Sequence, residues 1–292
     1  MKQDAFSKCH PAVNFLFFLG AIGCGVVIRH PAYLAVGMVC GCIYYLLLHG
    51  RKGWKFILGL VPLFLLLTAV NPLFNTYGEK VLFQLFGRPY TYEALLYGAA
   101  IAAMFVNMSI WFGCYNQVLT SDKFTSLFGN LIPSLSLLLV MVLRLVPTFI
   151  RKVHAISGAR CAIGKGVGDG AGKKEKLESG LTILGALTSW ALEGSVVTGD
   201  SMRARGYGSA RRSSFMLYTM GKSNWMLLTV QVCFFALVIV SAALGQTRAD
   251  FTPDLSISPV SWGVAAYAAY LLIPTALQIK EAVLWRISRS RI

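Results

Sequence analysis

Two short stretches of this chain set an arginine among small residues. They are Ala155-Ile-Ser-Gly-Ala-Arg-Cys-Ala162, around Arg160, and Ser201-Met-Arg-Ala-Arg-Gly-Tyr207, around Arg205. A guanidinium offers its N–H donors in a planar fork, so its chemistry is charge-assisted pairing with carboxylates, phosphates or carbonyls. Small flanking residues, Ala159 and Cys161 in one case and Ala204 and Gly206 in the other, let a partner surface approach the backbone while the side chain reaches out. Each arginine falls near the C-terminal end of a helical pattern, where glycine stops a helix and positive charge suits its dipole. Two readings fit these residues: a docking contact for another protein, or a pair of helix caps touching anionic lipid. The same basic tract holds Arg203, whose role stays undecided, and Arg211 and Arg212, which suit topology or headgroup contact.

Other chemistries lack their residues. His10, His30, His49 and His154 lie far apart and form no HExxH pair. The seven cysteines include no CxxC at zinc-ligand spacing, so neither a metal site nor a cofactor is expected. The run Gly164–Lys176 alternates glycine with other residues and reads as a linker. It is no phosphate loop: Val167 stands where a Walker A motif needs its first glycine, and Lys174 where Ser or Thr must hold magnesium. No set of acids suggests catalysis, and the apolar segments carry almost no ionisable groups for a proton or ion relay. The expectation is a non-catalytic protein; a stand-alone carrier or channel is the alternative.

The elements that must position the arginines follow from composition. Of 292 residues, 56% are hydrophobic and 13% charged, with mean hydropathy +0.62. Soluble domains carry about 25% charged residues, so this chain reads as an all-α polytopic membrane protein. Six segments approach the roughly 20 apolar residues a crossing needs: 11–28, 32–49, 54–71, 94–115, 224–245 and 260–280. The first follows Lys2 and Lys8 and reads as a span rather than a cleaved signal peptide. In the second, Gly37 and Gly41 form a GxxxG whose commoner use is packing within the chain, a subunit contact being the other.

A seventh apolar segment, 131–150, contains Arg144, Pro133 and Pro147. A mid-helix arginine costs about 2.5–3.5 kcal/mol on insertion scales. If this segment does not cross and the N-terminus is cytoplasmic, all of the 27 Lys and Arg except Arg29, Lys80, Arg88 and Arg248 lie inside. If it crosses, the basic block 151–222 faces away from the other basic loops. The positive-inside rule therefore makes 131–150 an interfacial or re-entrant helix, with both termini cytoplasmic. Residues 181–197 form a second apolar stripe interrupted by Glu193, suited to a membrane surface or another helix. The chain divides into four spans (1–115), a cytoplasmic module (116–222) and two final spans (223–292). The net charge of +15 is accounted for by cytoplasmic loops, and no nucleic-acid partner is expected.

Over most of residues 55–210 the sequence resembles the transmembrane T component of energy-coupling factor (ECF) transporters, the EcfT/CbiQ-type family. The residues that carry it are Asn71-Pro72-Leu73-Phe74, Tyr90-Thr-Tyr-Glu-Ala94, Leu119-Thr-Ser-Asp-Lys-Phe124, Arg144-Leu-Val-Pro147, Ala159-Arg160-Cys161 and Ala204-Arg205-Gly206. One departure is Cys161, where the family has glycine. The resemblance implies a bacterial or archaeal plasma-membrane protein that links two cytoplasmic ABC ATPases to a small membrane S component capturing a vitamin or metal. It further implies that Leu131–Ile150 and Leu181–Gly206 are coupling helices that cross under the S component, with Arg144 and Pro147 supporting the first. Arg160 and Arg205 are each implied to enter a groove of one ATPase.

Overall fold

The tripeptide His-Pro-Ala occurs at 10–12 and again at 30–32, and each copy starts a helix in the same way. His10 Nδ1 accepts the Ala12 N–H at 3.2 Å, and His30 Nδ1 accepts the Ala32 N–H at 3.2 Å. Proline follows at the first helical position, where its missing N–H costs nothing. Burial lowers the His10 pKa, which favours the neutral ring that can accept. In His30 the accepting role of Nδ1 leaves the proton on Nε2, which donates to the Ser258 carbonyl at 2.9 Å.

These observations come from a computed structural model that describes residues 5–75, 81–85, 88–128, 133–166, 172–209, 218, 220–250 and 256–289. A 3-10 turn at Phe6–Lys8 precedes α1 (Pro11–Val27) and α2 (Pro31–His49). Helix α2 stops where Gly50 takes φ +58°, and a second 3-10 turn leads into α3 (Gly53–Phe74). The antiparallel pair β1 (Val81–Leu85) and β2 (Arg88–Thr91) precedes α4 (Tyr92–Val118). Then come α5 (Ser121–Phe128), α6 (Pro133–Ala162), α7 (Lys173–Ala204) and α8 (Lys222–Ala243). The short pair β3 (Ala249–Asp250) and β4 (Ser256–Ile257) leads to α9 (Trp262–Arg289). The chain forms two units, residues 1–124 with 218–292, and residues 125–217.

In the first unit α4 packs against α1, α2 and α3, while α9 packs against α2 and α8. Trp111 of α4 is fully buried, edge-on to Phe17 at 5.8 Å and stacked on Tyr44 at 6.3 Å. Its indole N–H donates to the Gly37 carbonyl at 3.2 Å. A Cβ on Gly37 would lie 2.8 Å from Asn107 Oδ1, and one on Gly41 would lie 3.0 Å from Ile110. The GxxxG thus seats α4 within the chain. Large apolar side chains on the same helices point outward, among them Leu19, Val39, Leu65, Phe105 and Ile239, as lipid-facing surfaces do.

The six expected spans fall on α1, α2, α3, α4, α8 and α9. By length and composition alone, five helical stretches among the described residues can cross a membrane: 31–74, 92–118, 173–204, 222–243 and 262–288. Pro11–Val27 is a shorter apolar helix. The first stretch is two helices, broken at Gly50. The expected segment 131–150 begins outside the described residues, and α6 runs on to Ala162. Residues 173–176, read as linker, form the first turn of α7, because Lys-Lys-Glu-Lys are good helix formers once the glycines end at Gly172. Residues 167–171, and Arg211 and Arg212, lie outside the described residues.

Because the GxxxG is filled by α4, Gly41→Leu is expected to destabilise the monomeric chain by about 1–3 kcal/mol, read as a lower thermal midpoint in detergent. An unchanged midpoint with altered oligomer size would assign Gly37 and Gly41 to a subunit contact instead.

Candidate functional site

Helix α6 has 30 residues and α7 has 32, so each is roughly 45 Å or more in length. Along α6 the character changes midway. Leu138, Val140, Val142, Leu143, Leu145, Val146 and Ile150 are exposed apolar residues, and Arg151, Lys152, His154 and Arg160 follow. Helix α7 exposes Leu181, Leu184, Leu192, Val196 and Val197 between Lys173, Lys174 and Lys176 at one end and Arg203 at the other. Apolar area of this extent needs lipid or a partner to cover it. Crossing the bilayer would leave α7 with basic clusters on both sides, which the positive-inside rule disfavours.

The two helices are tied at one aromatic. The ring of Trp190 on α7 meets Phe149 of α6 edge-on at 5.7 Å, and Lys152 Nζ sits 5.2 Å from the Trp190 centroid. Phe149 and Lys152 are three apart, so both lie on one face of α6. A cation over an indole face contributes about 0.5–1 kcal/mol at exposed sites. Sequence reasoning did not find this contact; its only trace was a tryptophan in the second stripe.

Arg144 is exposed, and its carbonyl accepts the Thr148 hydroxyl at 3.3 Å. Pro147 lies inside α6 and cannot supply the bond its N–H would have made. Arg151 Nε donates to the Pro147 carbonyl at 3.4 Å.

Both helices end in the same backbone device. Past α6, the Lys165 N–H bonds the Arg160 carbonyl at 2.9 Å, and the Gly164 N–H bonds that of Cys161 at 3.0 Å. Past α7, the Tyr207 N–H bonds the Met202 carbonyl at 3.0 Å, and the Gly206 N–H bonds that of Arg203 at 2.9 Å. Gly164 and Gly206 take φ +75° and +78°. This is the Schellman pattern, with glycine in the left-handed conformation.

The arginines occupy different places in it. Arg205 is the cap itself, one residue before the left-handed glycine, while Arg160 lies four residues before its glycine, inside the last turn. Cys161 explains the offset: with no glycine there, α6 continues to Ala162 and stops at Gly164. Arg160 is half-buried, and its Nη2 approaches the Lys165 carbonyl at 3.5 Å. Arg205 is exposed, and among the described residues its side chain makes no hydrogen bond or ion pair. The triplets Ala159-Arg160-Cys161 and Ala204-Arg205-Gly206 end separate helices. Among the described residues no three of His, Cys, Asp and Glu gather as metal ligands would.

A family model described as CbiQ, cobalt transport protein, matches residues 5–217, a range that takes in both triplets and stops before α8. A search of curated proteins finds no match.

A side chain at Gly206 must adopt a left-handed conformation costing about 1–2 kcal/mol. Gly206→Val is therefore expected to fray the end of α7, seen as faster amide exchange at residues 203–207 with α6 unchanged. Unchanged exchange there would show that the cap does not depend on Gly206.

Proposed function

We propose a coupling function for this chain, which belongs to the CbiQ cobalt transport protein family and is a multi-pass membrane protein of that transport machinery. In this reading it is the T subunit of an ECF-type importer. It carries no ATP or substrate site of its own and transmits motion from two ABC ATPases to a small S component that holds a vitamin or metal ion. Arg160 and Arg205 are the contacts to the ATPases. The apolar lengths of α6 and α7 carry the S component and meet the membrane surface, while both termini and residues 116–222 lie in the cytoplasm.

The observation that supports this best is that each arginine stands at or within the last turn of a long helix, among small residues, and that each helix stops at a left-handed glycine. A helix end of this kind presents a charged fork with little bulk around it, which suits insertion into a groove lined with carboxylates or carbonyl groups. Lys152 over Trp190 joins the two helices, so a displacement at either end is felt by the other.

Changing both Arg160 and Arg205 to Glu is expected to abolish co-purification of the ATPases; retained assembly and transport would overturn the reading. Of the single changes, Arg205→Glu is expected to weaken ATPase retention more, because Arg205 is fully presented while Arg160 is half-buried against Lys165. In a variant keeping Cys161 as its sole cysteine, a membrane-impermeant maleimide is expected to label inside-out but not right-side-out vesicles. The reverse pattern would refute the cytoplasmic placement.

A further inference from the structure

Lys123 is only 7% exposed, an unusual position for an ammonium group. It stands in the first turn of α5 and donates to the Ser7 carbonyl at 2.5 Å, the Ser7 hydroxyl at 2.7 Å and the Val118 carbonyl at 2.9 Å. An ammonium has three hydrogens to donate, and the Ser7 and Val118 oxygens offer each of them an acceptor. Burying a charge is tolerated only with such compensation, and three directed bonds fix the position of α5 more closely than apolar contact would.

Ser7 belongs to the Phe6–Lys8 turn, and its neighbours there are held too. Phe6 is fully buried, edge-on to Phe17 at 5.3 Å and Phe18 at 6.1 Å, both on α1. Lys8 pairs with Glu281 of α9 at 2.5 Å. Next to Lys123, the ring of Phe124 meets Phe15 of α1 edge-on at 6.4 Å. Three consecutive residues therefore tie α1, α9 and α5 together. Helix α5 is also where the chain leaves the first unit, whose boundary falls after Phe124.

We propose that Lys123 and the Phe6–Lys8 turn anchor the start of α5, the segment through which the chain enters the coupling module. Lys123 is a positioning residue that fixes the start of α5, so that displacement imposed at Arg160 and Arg205 is carried to the membrane partner instead of being lost as slippage or unwinding of α5. The proposal rests on the coupling reading above. Ser7 contributes two acceptors, so Lys123→Met removes the anchor and Ser7→Ala weakens it.

Two measurements test it. In the full chain in nanodiscs, which needs neither ATPase nor cargo, Lys123→Met is expected to speed amide exchange at residues 121–128 by about tenfold. Unchanged exchange there would overturn the anchor whatever the coupling reading's fate. In proteoliposomes holding the assembled complex, Co2+ uptake per ATP hydrolysed is expected to fall about fivefold in Lys123→Met and about twofold in Ser7→Ala, with ATPase retention held within about twofold. Wild-type uptake per ATP in both variants overturns the proposal while leaving the coupling reading standing. Loss of assembly in Lys123→Met with a wild-type ratio in Ser7→Ala also overturns it, because the lysine is then needed only for folding. A wild-type chain that retains no ATPase overturns both.

Discussion

Helix α4 packs closely on three other helices because glycine makes room at each contact: Gly25 of α1 and Gly37 of α2 beside Asn107, Gly41 of α2 beside Ile110 and Trp111, and Gly98 of α4 itself against Asn71 of α3. Lipid tails are as apolar as leucine, so helices in a bilayer gain little from burying oil against oil. What holds them is close packing and hydrogen bonding, and both occur at this contact. The Trp111 indole finds the Gly37 carbonyl, and its ring meets Phe17, Phe18 and Tyr44. From there the aromatic cluster extends to Tyr270 of α9, whose hydroxyl donates to the Phe17 carbonyl at 2.9 Å. Residues beyond the family match at 217 are thus part of the same core.

The second unit is built on the opposite plan. Few of its described residues are buried, and many of their large apolar side chains are exposed. A pair of helices with so much uncovered apolar surface is stable only in company, whether lipid or protein. The lysines and arginine of α7 sit at its two ends, while those of α6 run from Arg144 onward. The first unit resembles a finished core, and the second resembles half of an interface.

Much of this was legible in the sequence, because hydrocarbon thickness fixes how long an apolar run must be, and the six runs fall on helices. The charge count sets 131–150 apart from those six runs, an expectation that rests on the positive-inside rule. What escaped was governed by other forces. His10 and His30 were dismissed for want of a metal pattern, yet they cap helices, a task more often given to Ser, Thr, Asp or Asn. The echo between Arg160 and Arg205 was visible, but their unequal distance from the terminating glycine was not, since local sequence similarity suggested equal geometry. Gly206 could be read as a helix stop from its place after Arg205; Gly164 was hidden in a run of glycines. Trp190 and Lys152 meet across two helices, and Lys123 meets Ser7, more than a hundred positions away. No periodicity encodes such pairings.

The offset between the two helix ends has a mechanical meaning. Arg205 caps α7, so a partner that grips it loads the helix along its axis, the direction in which a hydrogen-bonded coil is stiff. Arg160 projects from the flank of α6, which runs on for two more residues before the turn at Gly164. Force applied there acts off-axis and bends the helix as well as pushing it. An axial push at one helix end and an off-axis push at the other would combine into a twist.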